Sequence, residues 1–304
     1  MKDQSEILLE SGTNELEIIQ FKINHHVFGI NVLKVREIIL PSSPMSIPHS
    51  HPYLLGIIQL RGEVLPVVSL ERALGMESES ERDSSQDKYI VTEFNSKQVV
   101  FHVHNVDRIL RISWDKIEKP SNLYALDSSN VIGVIKENDK MILMLDFEKI
   151  MVDINPEAGI HPSKLKKVNR KERSGKRLMV VEDSPLLRQL LADTLAVAGY
   201  EQIEFFENGR EALHYLETIL AQGNDVLKEF QLVITDIEMP QMDGHHLTRR
   251  LKENSQLAGL PVIIFSSLIT EDLFHRGQAV GAVDQIAKPD IDKLVAKIDQ
   301  YILL

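Results

Sequence analysis

Acidic, hydroxyl and basic residues follow successive apolar runs in the second half of the chain. The residues at the ends of these runs are Glu182, Asp183, Asp236, Ser266 and Lys288. If each run is a strand of one parallel sheet, the carboxyl ends of the strands meet at one edge. We therefore expect three carboxylates, a hydroxyl and an ammonium group to share one crevice.

Magnesium is the cation that such a crevice favours. Carboxylates that lie close together repel one another, and a divalent cation bound through oxygen relieves that repulsion. Mg²⁺ accepts few protein carboxylates and keeps positions open for water and phosphate oxygens. With Mg²⁺ and Lys288 neutralising charge, one carboxylate can attack a phosphoryl group and hold it as an acyl phosphate. Asp236 is the best candidate for this nucleophile because it ends the central strand.

Each of these residues also has a structural interpretation. Asp183 can begin a turn, Asp236 can cap the loop that follows it, and Ser266 can bond a strand-end backbone group. Their occurrence together at successive strand ends favours a site over several independent structural roles.

Alternating strands and helices from Lys176 onward must position these side chains. Leu178–Val181 is typical of a buried strand, and Ser184-Pro185 then opens a helix with a capping residue and a proline at the first helical position. Gly199 ends that helix. The alternation continues to the last residues and predicts a doubly wound α/β sheet of five strands with five helices.

Five short motifs of this half carry a resemblance to a known family. They are Val180-Val181-Glu182-Asp183-Ser184, Thr235-Asp236-Ile237-Glu238-Met239-Pro240, Met242-Asp243-Gly244, Phe265-Ser266-Ser267 and Lys288-Pro289. Over 176–304 the chain resembles a two-component receiver domain, which implies that Asp236 is the phosphoacceptor. By this resemblance Asp183 and Asp236 bind Mg²⁺ directly, and Glu182 binds it through water. The backbone carbonyl of Glu238 completes the protein ligands, and Ser266 is the switch hydroxyl.

Two features depart from the receiver pattern. Gln285 stands where many receivers have an aromatic switch residue, three positions before Lys288. A glutamine cannot follow the motion of the hydroxyl in the way that an aromatic ring does. The loop Ala221–Phe230 is longer than is typical of receivers. It is either a contact surface of this protein or a tolerated insertion.

The first half of the chain has the pattern of an all-β domain. From Leu16 to about Ile150, short apolar runs are separated by turn signals such as Asn24-His25, which is typical of a small barrel or sandwich. Its histidines show no clear metal-ligand spacing, although His102 and His104 lie on one face of a strand. We find no nucleophile elbow, phosphate loop or paired catalytic carboxylate, so a binding module is expected.

Four segments of this half carry a second resemblance. They are 28–38, 56–70, Val131–Val134 and Met141–Asp146. Over 16–152 the chain resembles the CheW coupling family, which implies two small β-barrels packed side by side. Gln59 departs mildly from the asparagine that the family usually has before Leu-Arg-Gly.

Val35, Glu37 and Arg61 are the residues of this domain that we expect to bind a partner. In one interpretation Glu37 and Arg61 form a surface pair that contributes little to stability. In the other they lie beside a groove and orient the tip of a receptor helix. The sequence leaves both interpretations open.

Composition limits the classes of protein that this chain can be. Its 304 residues are 43% hydrophobic and 26% charged, which suits two globular domains. The absence of cysteine excludes disulfides, thiolate metal sites and cysteine nucleophiles. The net charge of -11 argues against nucleic-acid binding. Met1–Glu10 does not resemble a secretory signal, and no apolar stretch reaches spanning length, so we expect a cytoplasmic protein that reaches membranes through partners.

An N-terminal segment is expected at 1–15, before the first domain at 16–152. A linker at 153–175 is expected to join that domain to the second one at 176–304. The basic residues of this linker are Lys164, Lys166, Lys167, Arg170, Lys171 and Arg173. A solvated linker is the expected role, and contact with an anionic surface is the alternative.

A CheW-like domain followed by a receiver is the arrangement of the CheV family. This resemblance implies an adaptor that ties the cytoplasmic tips of chemoreceptors to the histidine kinase CheA, with CheW as a further partner in receptor arrays. Phosphotransfer to Asp236 would modulate the coupling. No enzymatic activity is expected beyond Mg²⁺-dependent self-phosphorylation from phosphohistidine and slow autodephosphorylation.

Two alternatives belong to other classes of protein. In the first, the receiver is a phosphate sink that drains the kinase. In the second, which is less favoured, the chain is a transcriptional response regulator. We disfavour it because the sequence given ends with the receiver's own last helix.

Overall fold

The computed structural model describes residues 14–77, 83–94, 97–118, 130–137, 140–156, 160, 173–269 and 271–303. By their contacts these residues form two compact units. Unit 1 consists of the described residues within Met1–Glu15, Ser113–Ile117 and Glu157–Leu304, and unit 2 of those within Leu16–Ile112 and Glu118–Pro156. None of the helices in these ranges is long and apolar enough to cross a membrane.

The chain from Glu15 to Ile154 is rich in strands. The strands are β1 (Glu15–Ile23), β2 (His26–Asn31), β3 (Val35–Ile39), β4 (Leu54–Leu60), β5 (Glu63–Ser69), β6 (Lys88–Phe94), β7 (Lys97–Val103), β8 (Asn105–Ser113), β9 (Ile117–Glu118), β10 (Val131–Glu137) and β11 (Lys140–Leu145). The helices are α1 (Leu70–Ala73) and α2 (Phe147–Ile154). The predicted all-β character of this half is confirmed.

These strands form two sheets. One has the order β8-β1-β2-β11-β10-β9, and the other has the order β3-β6-β7-β5-β4. The turn between β4 and β5 is formed by Arg61 and Gly62, whose φ angles are +49° and +92°. Two central residues with positive φ are the signature of the type I′ turn, which matches the twist of paired strands.

A shared core holds these sheets together. Its cluster takes Phe21 and Phe28 from the first sheet and Phe101 from the second, and Phe147 of α2 also belongs to it. The rings of Phe101 and Phe147 meet edge to face at 5.0 Å between centroids. Helix α2 is therefore part of the β domain.

The chain from Arg177 alternates between strands and helices. The strands are β12 (Arg177–Val181), β13 (Gln202–Phe206), β14 (Leu232–Thr235), β15 (Val262–Ser266) and β16 (Asp284–Ala287). The helices are α3 (Pro185–Ala198), α4 (Gly209–Ala221), α5 (Val226–Glu229), α6 (Gly244–Glu253), α7 (Glu271–Ala279) and α8 (Ile291–Ile302). The strands pair in parallel in the order β13-β12-β14-β15-β16. The predicted doubly wound fold is confirmed.

Local sequence signals explain how these helices begin and end. The Ser184 hydroxyl accepts from the Leu187 N–H at the start of α3, Pro185 occupies its first turn, and Gly199 ends it with φ +100°. Helix α5 was not predicted. It lies in the long loop Ala221–Phe230 and is fixed by Val226 and Phe230, both fully buried.

Two apolar clusters cover the two faces of the parallel sheet. On one face α3 and α8 pack on the sheet through residues such as Leu191 and Ile298. On the other, α4, α5 and α6 contribute Leu216, Val226 and Leu251. The central strands β12, β14 and β15 are buried from both sides, as their continuous apolar runs predict, whereas the edge strand β13 is partly exposed.

The predicted linker at 153–175 differs from the structure at both ends. It begins inside α2, and Ile160 is buried in the same cluster as α3 and α8. Arg173 is 1% exposed, although the basic run was predicted to be solvated. The Arg173 guanidinium forks onto both carboxylate oxygens of Asp299 and donates to Ala198 O at 2.7 Å. The other basic residues of this run and the segment 1–13 lie outside the described residues.

Backbone hydrogen bonds explain why unit 1 includes Ser113–Ile117. The Gln241 N–H donates to Trp114 O at 2.8 Å, and the Asn14 side-chain amide donates to Gln241 O at 3.0 Å. Gln241 has a φ of +66°, which a non-glycine residue seldom adopts. These bonds hold it in that conformation within unit 1.

Candidate functional site

Three carboxylates meet at the carboxyl edge of the parallel sheet. Ligand oxygens of Glu182, Asp183 and Asp236 all lie within 4.8 Å of one another. Glu182 and Asp236 are buried, and Asp183 is partly exposed. In the parts of the chain that the structure describes, this is the one group of three or more such ligands that could hold a metal ion.

Strand register brings these carboxylates together. Val181 of β12 lies opposite Thr235 of β14, so the residues that follow the two strands are neighbours. The Asp236 N–H donates to Val181 O at 3.0 Å and extends the pairing by one step. The convergence expected from the sequence is therefore present.

Lys288 lies within hydrogen-bonding distance of two of the three carboxylates. Its Nζ is 2.8 Å from Glu182 Oε2 and 2.8 Å from Asp236 Oδ2, and its side chain is 2% exposed. It follows β16, and the Lys288–Pro289 peptide bond is cis. In their ionised forms the three carboxylates and one ammonium leave two negative charges unbalanced. Oxygen donors with that excess fit a divalent cation.

Ser266 ends β15, the strand between β14 and β16. It is fully buried, and its hydroxyl accepts from the Leu268 N–H at 3.2 Å. Its carbonyl accepts from the Lys288 N–H at 2.9 Å, so the two residues are joined through the backbone. The switch role of Ser266 stays a prediction.

The loop after Asp236 carries the last predicted ligand, Glu238. Asp236 Oδ1 accepts from the Ile237 N–H at 2.6 Å, and the Gly244 N–H donates to Ile237 O at 2.9 Å. Glu238 itself is buried within this loop. The ligand role of its carbonyl stays a prediction.

Gly244 allows this loop to close. A Cβ at Gly244 would overlap the carbonyl oxygen of Asp236, so only glycine permits the approach. Asp243 then caps α6, because its Oδ1 accepts from the His246 N–H at 2.8 Å. Burial raises the pKa of Asp243, and the capping bonds oppose that shift. The Met242-Asp243-Gly244 motif thus has a structural explanation that spacing alone did not supply.

Arg188 is a residue of this site that the sequence analysis missed. Its guanidinium contacts the backbone carbonyls of Glu182 and Asp183 from one turn into α3. An available signal was its position, because a cation near a helix N-terminus opposes the helix dipole and needs another partner.

Gln285 occupies the predicted switch position and is 9% exposed. Its Nε2 donates to Phe274 O on α7 at 2.6 Å. A Cβ at Gly277 would lie 2.6 Å from Gln285 Nε2 and closer still to Oε1. The glutamine side chain is therefore packed against the backbone of α7.

The predicted partner-binding residues lie in unit 2. Arg61 Nη2 is 2.9 Å from Glu37 Oε2, with side-chain exposures of 79% and 28%. Glu37 belongs to one edge strand, β3, and Arg61 follows the other edge strand, β4. The pair therefore indicates that the five-stranded sheet curls until its edges approach. Val35 begins β3 and is partly exposed.

Exposed apolar side chains also occur on and near these strands. They are Ile38, Leu40, Met45, Ile47 and Val64. Met45 is bridged to Ile57 of β4, and Val64 lies on β5. These side chains lie between β3 and β5 in the sequence and add exposed apolar area to this part of unit 2.

Family comparisons match both halves of the chain. Residues 17–155 match the CheW-like domain, and residues 178–299 match the response regulator receiver domain. The solved structure of the scaffolding protein TtCheW from Thermoanaerobacter tengcongensis is 26% identical, with a TM-score of 0.39. It covers 43% of this chain and 88% of its own.

Two curated relatives from Helicobacter pylori match nearly the whole chain. The chemotaxis protein CheV3 is 31% identical over 302 residues, which is 95% of this chain and 95% of the relative. The chemotaxis protein CheV1 is 22% identical and covers 96% and 94%. With its CheW-like domain and receiver in this order, the chain belongs to the CheV family of chemotaxis coupling proteins.

Proposed function

We propose that this protein couples chemoreceptors to the histidine kinase CheA, and that phosphotransfer to Asp236 modulates the coupling. The observation that carries this proposal is the cluster of Glu182, Asp183, Asp236 and Lys288 in a chain that also matches the CheW-like domain. A coupling module has no need of buried carboxylates around a lysine. A phosphorylation site needs such carboxylates to accept the phosphoryl group and to bind the cation that offsets its charge.

The chemistry of the step follows from the groups present. An Asp236 carboxylate oxygen attacks the phosphorus of a phosphohistidine, the N–P bond breaks, and an acyl phosphate forms while the imidazole regains its electron pair. Asp183, Asp236 and the Glu238 carbonyl would hold Mg²⁺, which would offset the charge on the phosphoryl oxygens. Lys288 already lies at Asp236 Oδ2, so its ammonium can follow the added charge.

The binding face would be formed by Val35, Glu37 and Arg61 with the apolar residues around them. Receptor tips and CheA are the proposed partners, with CheW alongside them in arrays. An apolar face with one ion pair suits a protein partner, because the apolar area supplies affinity and the charges supply orientation. Arg61→Ala or Val35→Asp should weaken receptor binding without unfolding the protein. Unchanged affinity in both variants would show that the face lies elsewhere.

The proposed route out of the pocket runs through Ser266 and the loop after it. Ser266 Oγ accepts from the Leu268 N–H, so movement of the hydroxyl toward a phosphoryl group would lengthen that bond. Hydrogen exchange with and without a beryllofluoride phosphoryl mimic should show changed protection at 267–269. Changes confined to the residues around Asp236 would contradict this route.

Reconstitution tests the proposal as a whole. Receptor, CheA and the full chain are combined, and kinase output is compared between wild type and Asp236→Asn, with Asp193→Asn on the exposed face of α3 as the control. Asp236→Asn should take up no phosphoryl label and should lose only the phosphorylation-dependent part of coupling. Label uptake by this variant at the wild-type rate would reject Asp236 as the acceptor.

The lifetime of the acyl phosphate separates a switch from a phosphate sink. A lifetime long compared with kinase turnover supports modulation of coupling. Rapid hydrolysis, with coupling unaffected by Asp236→Asn, would favour a sink that drains the kinase.

A further inference from the structure

Arg188 joins the two acidic residues at the end of β12 to the neighbouring strand. Its Nη1 donates to Glu182 O at 2.8 Å and to Asp183 O at 2.9 Å. Its Nη2 donates to Glu207 Oε1 at 2.9 Å, just after β13. One planar guanidinium therefore spans three acceptors.

The local position of Arg188 does not favour a cation. It lies four residues into α3, where the dipole of the helix disfavours positive charge. Its side chain is nevertheless only 18% exposed. The three acceptors, and not the helix, account for where this side chain lies.

The two carbonyls mark the bend between β12 and α3. The chain leaves the sheet after Val181 and enters the helix at Pro185, and within this bend Glu182 and Asp183 turn their carboxylates toward Asp236. A guanidinium that holds both carbonyls fixes the two peptide planes. The directions of the two side chains depend on those planes.

We propose that Arg188 is a positioning residue for the divalent cation site, with Glu207 holding it in place. This inference rests on the proposed magnesium site. Arg188 acts through the backbone of Glu182 and Asp183 and does not touch the ion. The role has an electrostatic cost, since a nearby positive charge repels a cation.

Because of that cost, the role can be tested by whether removal of Arg188 strengthens or weakens cation binding. If Arg188 acted only as a charge, its removal would tighten cation binding. If it positions the ligands, its removal weakens binding despite the lost repulsion. Loss of an outer partner of a metal ligand typically weakens metal affinity by about 10- to 100-fold.

The experiment is calorimetric titration of the full chain with Mg²⁺ alone. Arg188→Ala should raise the dissociation constant by about tenfold. Arg188→Lys, which keeps the charge but not the planar fork, should recover only part of the affinity. Glu207→Gln, which alters no cation ligand, should weaken binding less than Arg188→Ala.

Arg177→Ala is the matched control at the other end of β12. Arg177 also bonds two partners, Glu204 and Glu229, far from the acidic bend. Its loss should lower the melting temperature and leave Mg²⁺ affinity unchanged. Equal weakening in Arg177→Ala and Arg188→Ala would mean general destabilisation and would overturn the proposal.

The remaining outcomes separate this inference from the proposed function. Wild-type protein that binds Mg²⁺, with Arg188→Ala binding equally or more tightly, overturns the positioning role alone. Wild-type protein that binds no Mg²⁺ overturns both the metal site and the role of Arg188. If circular dichroism shows that Arg188→Ala does not fold, the Mg²⁺ affinities of Arg188→Lys and Glu207→Gln decide between the same outcomes.

Discussion

At the scale of single residues, one ammonium group balances much of the charge in the pocket. Lys288 is bonded to Glu182 and Asp236 and is almost completely buried. A divalent cation would supply the remaining positive charge. The lysine and the cation should therefore each matter more to stability when the other is removed.

Lys288→Ala should lower the free energy of unfolding of unit 1 by about 3–5 kcal/mol in EDTA, because the buried carboxylates of Glu182 and Asp236 lose the ammonium group that neutralises them. Added Mg²⁺ should restore more stability in this variant than in wild type. Urea unfolding read by pulse hydrogen exchange of peptides from β12 and β14 measures both effects. Lys293→Ala, which removes an exposed pair with Asp290, should change stability by no more than about 1 kcal/mol. Equal stabilisation by Mg²⁺ in Lys288→Ala and wild type would contradict the shared role.

His245 predicts how unit 1 responds to pH. Burial lowers the pKa of His245 to about 4, and the positive charge of Arg276 adds to the shift, opposed by a bond to the backbone of Leu273. The unfolded chain binds a proton near pH 6.5, whereas the folded protein does not. Stability therefore falls as pH drops below 6.5, and the loss is complete below the folded pKa.

Between pH 7.5 and pH 5.0 this histidine should cost unit 1 about 2 kcal/mol. His245→Gln removes the titrating group, so the difference in stability between the two pH values should shrink by that amount. The same exchange-detected urea unfolding measures it, and contributions of other groups cancel in the double difference. His214→Gln, at an exposed position on α4, is the control. If the two variants behave alike, His245 is not the group responsible.

The meeting of the strand-end side chains was predictable from the sequence, whereas the contacts of Arg188 and Gly244 that hold the surrounding backbone in place were not. The apolar runs show where strands stop, and parallel pairing then brings Asp183 and Asp236 together whatever the loops do. The contacts of Arg188 depend on the bend after β12. The need for glycine at position 244 depends on how closely its backbone approaches Asp236 O. The periodicity of apolar residues indicates neither the contacts of Arg188 nor the closeness of Gly244 to Asp236.

At the scale of elements, helix α7 and strand β16 are joined by an amide instead of a ring. Gln285 Nε2 donates to Phe274 O, while Oε1 is buried and has no hydrogen-bond partner among the described residues. The side chain fits because Gly277 has no Cβ. Gln285 and Gly277 are therefore a matched pair.

This pairing predicts a strong coupling between two substitutions. Gly277→Ala alone should destabilise unit 1 by about 1–3 kcal/mol, because the new methyl overlaps the Gln285 amide. In a Gln285→Ala background the same change should become neutral or stabilise by up to about 1 kcal/mol, as alanine for glycine does inside a helix. A double-mutant cycle on unfolding free energies measures the coupling. Additive effects would show that the two residues do not share this space.

Element types were predictable, but the order of strands in unit 2 was not. Runs such as Leu178–Val181 and caps such as Ser184 act locally, so the sequence indicates them directly. The parallel pairing of β2 with β11 joins residues more than a hundred positions apart and depends on the shared core. Short apolar runs do not specify such partners.

At the scale of the whole molecule, charge pattern was a poor guide to where the receiver domain begins. Arg173 belongs to a basic run, and composition alone assigns such runs to solvent. Its burial depends on Asp299, 126 positions away, and on Ala198 at the end of α3. Tyr200 also donates to Asp299 Oδ1 at 2.6 Å, and burial together with that carboxylate raises the pKa of its phenol.

A fragment that begins at residue 157 should therefore be more stable than one that begins at residue 174. The longer fragment keeps Ile160 in the cluster with α3 and α8, and it keeps the fork of Arg173 on Asp299. Ile160→Ala in the longer fragment should cost about 2–4 kcal/mol, because it empties a buried site. Val197→Ala, at an exposed position on α3, should cost less than about 0.5 kcal/mol. Urea unfolding of the four proteins by circular dichroism measures these differences. Equal stability of the 157–304 and 174–304 fragments would mean that Ile160 and Arg173 lie outside the folded unit, as the predicted linker at 153–175 requires.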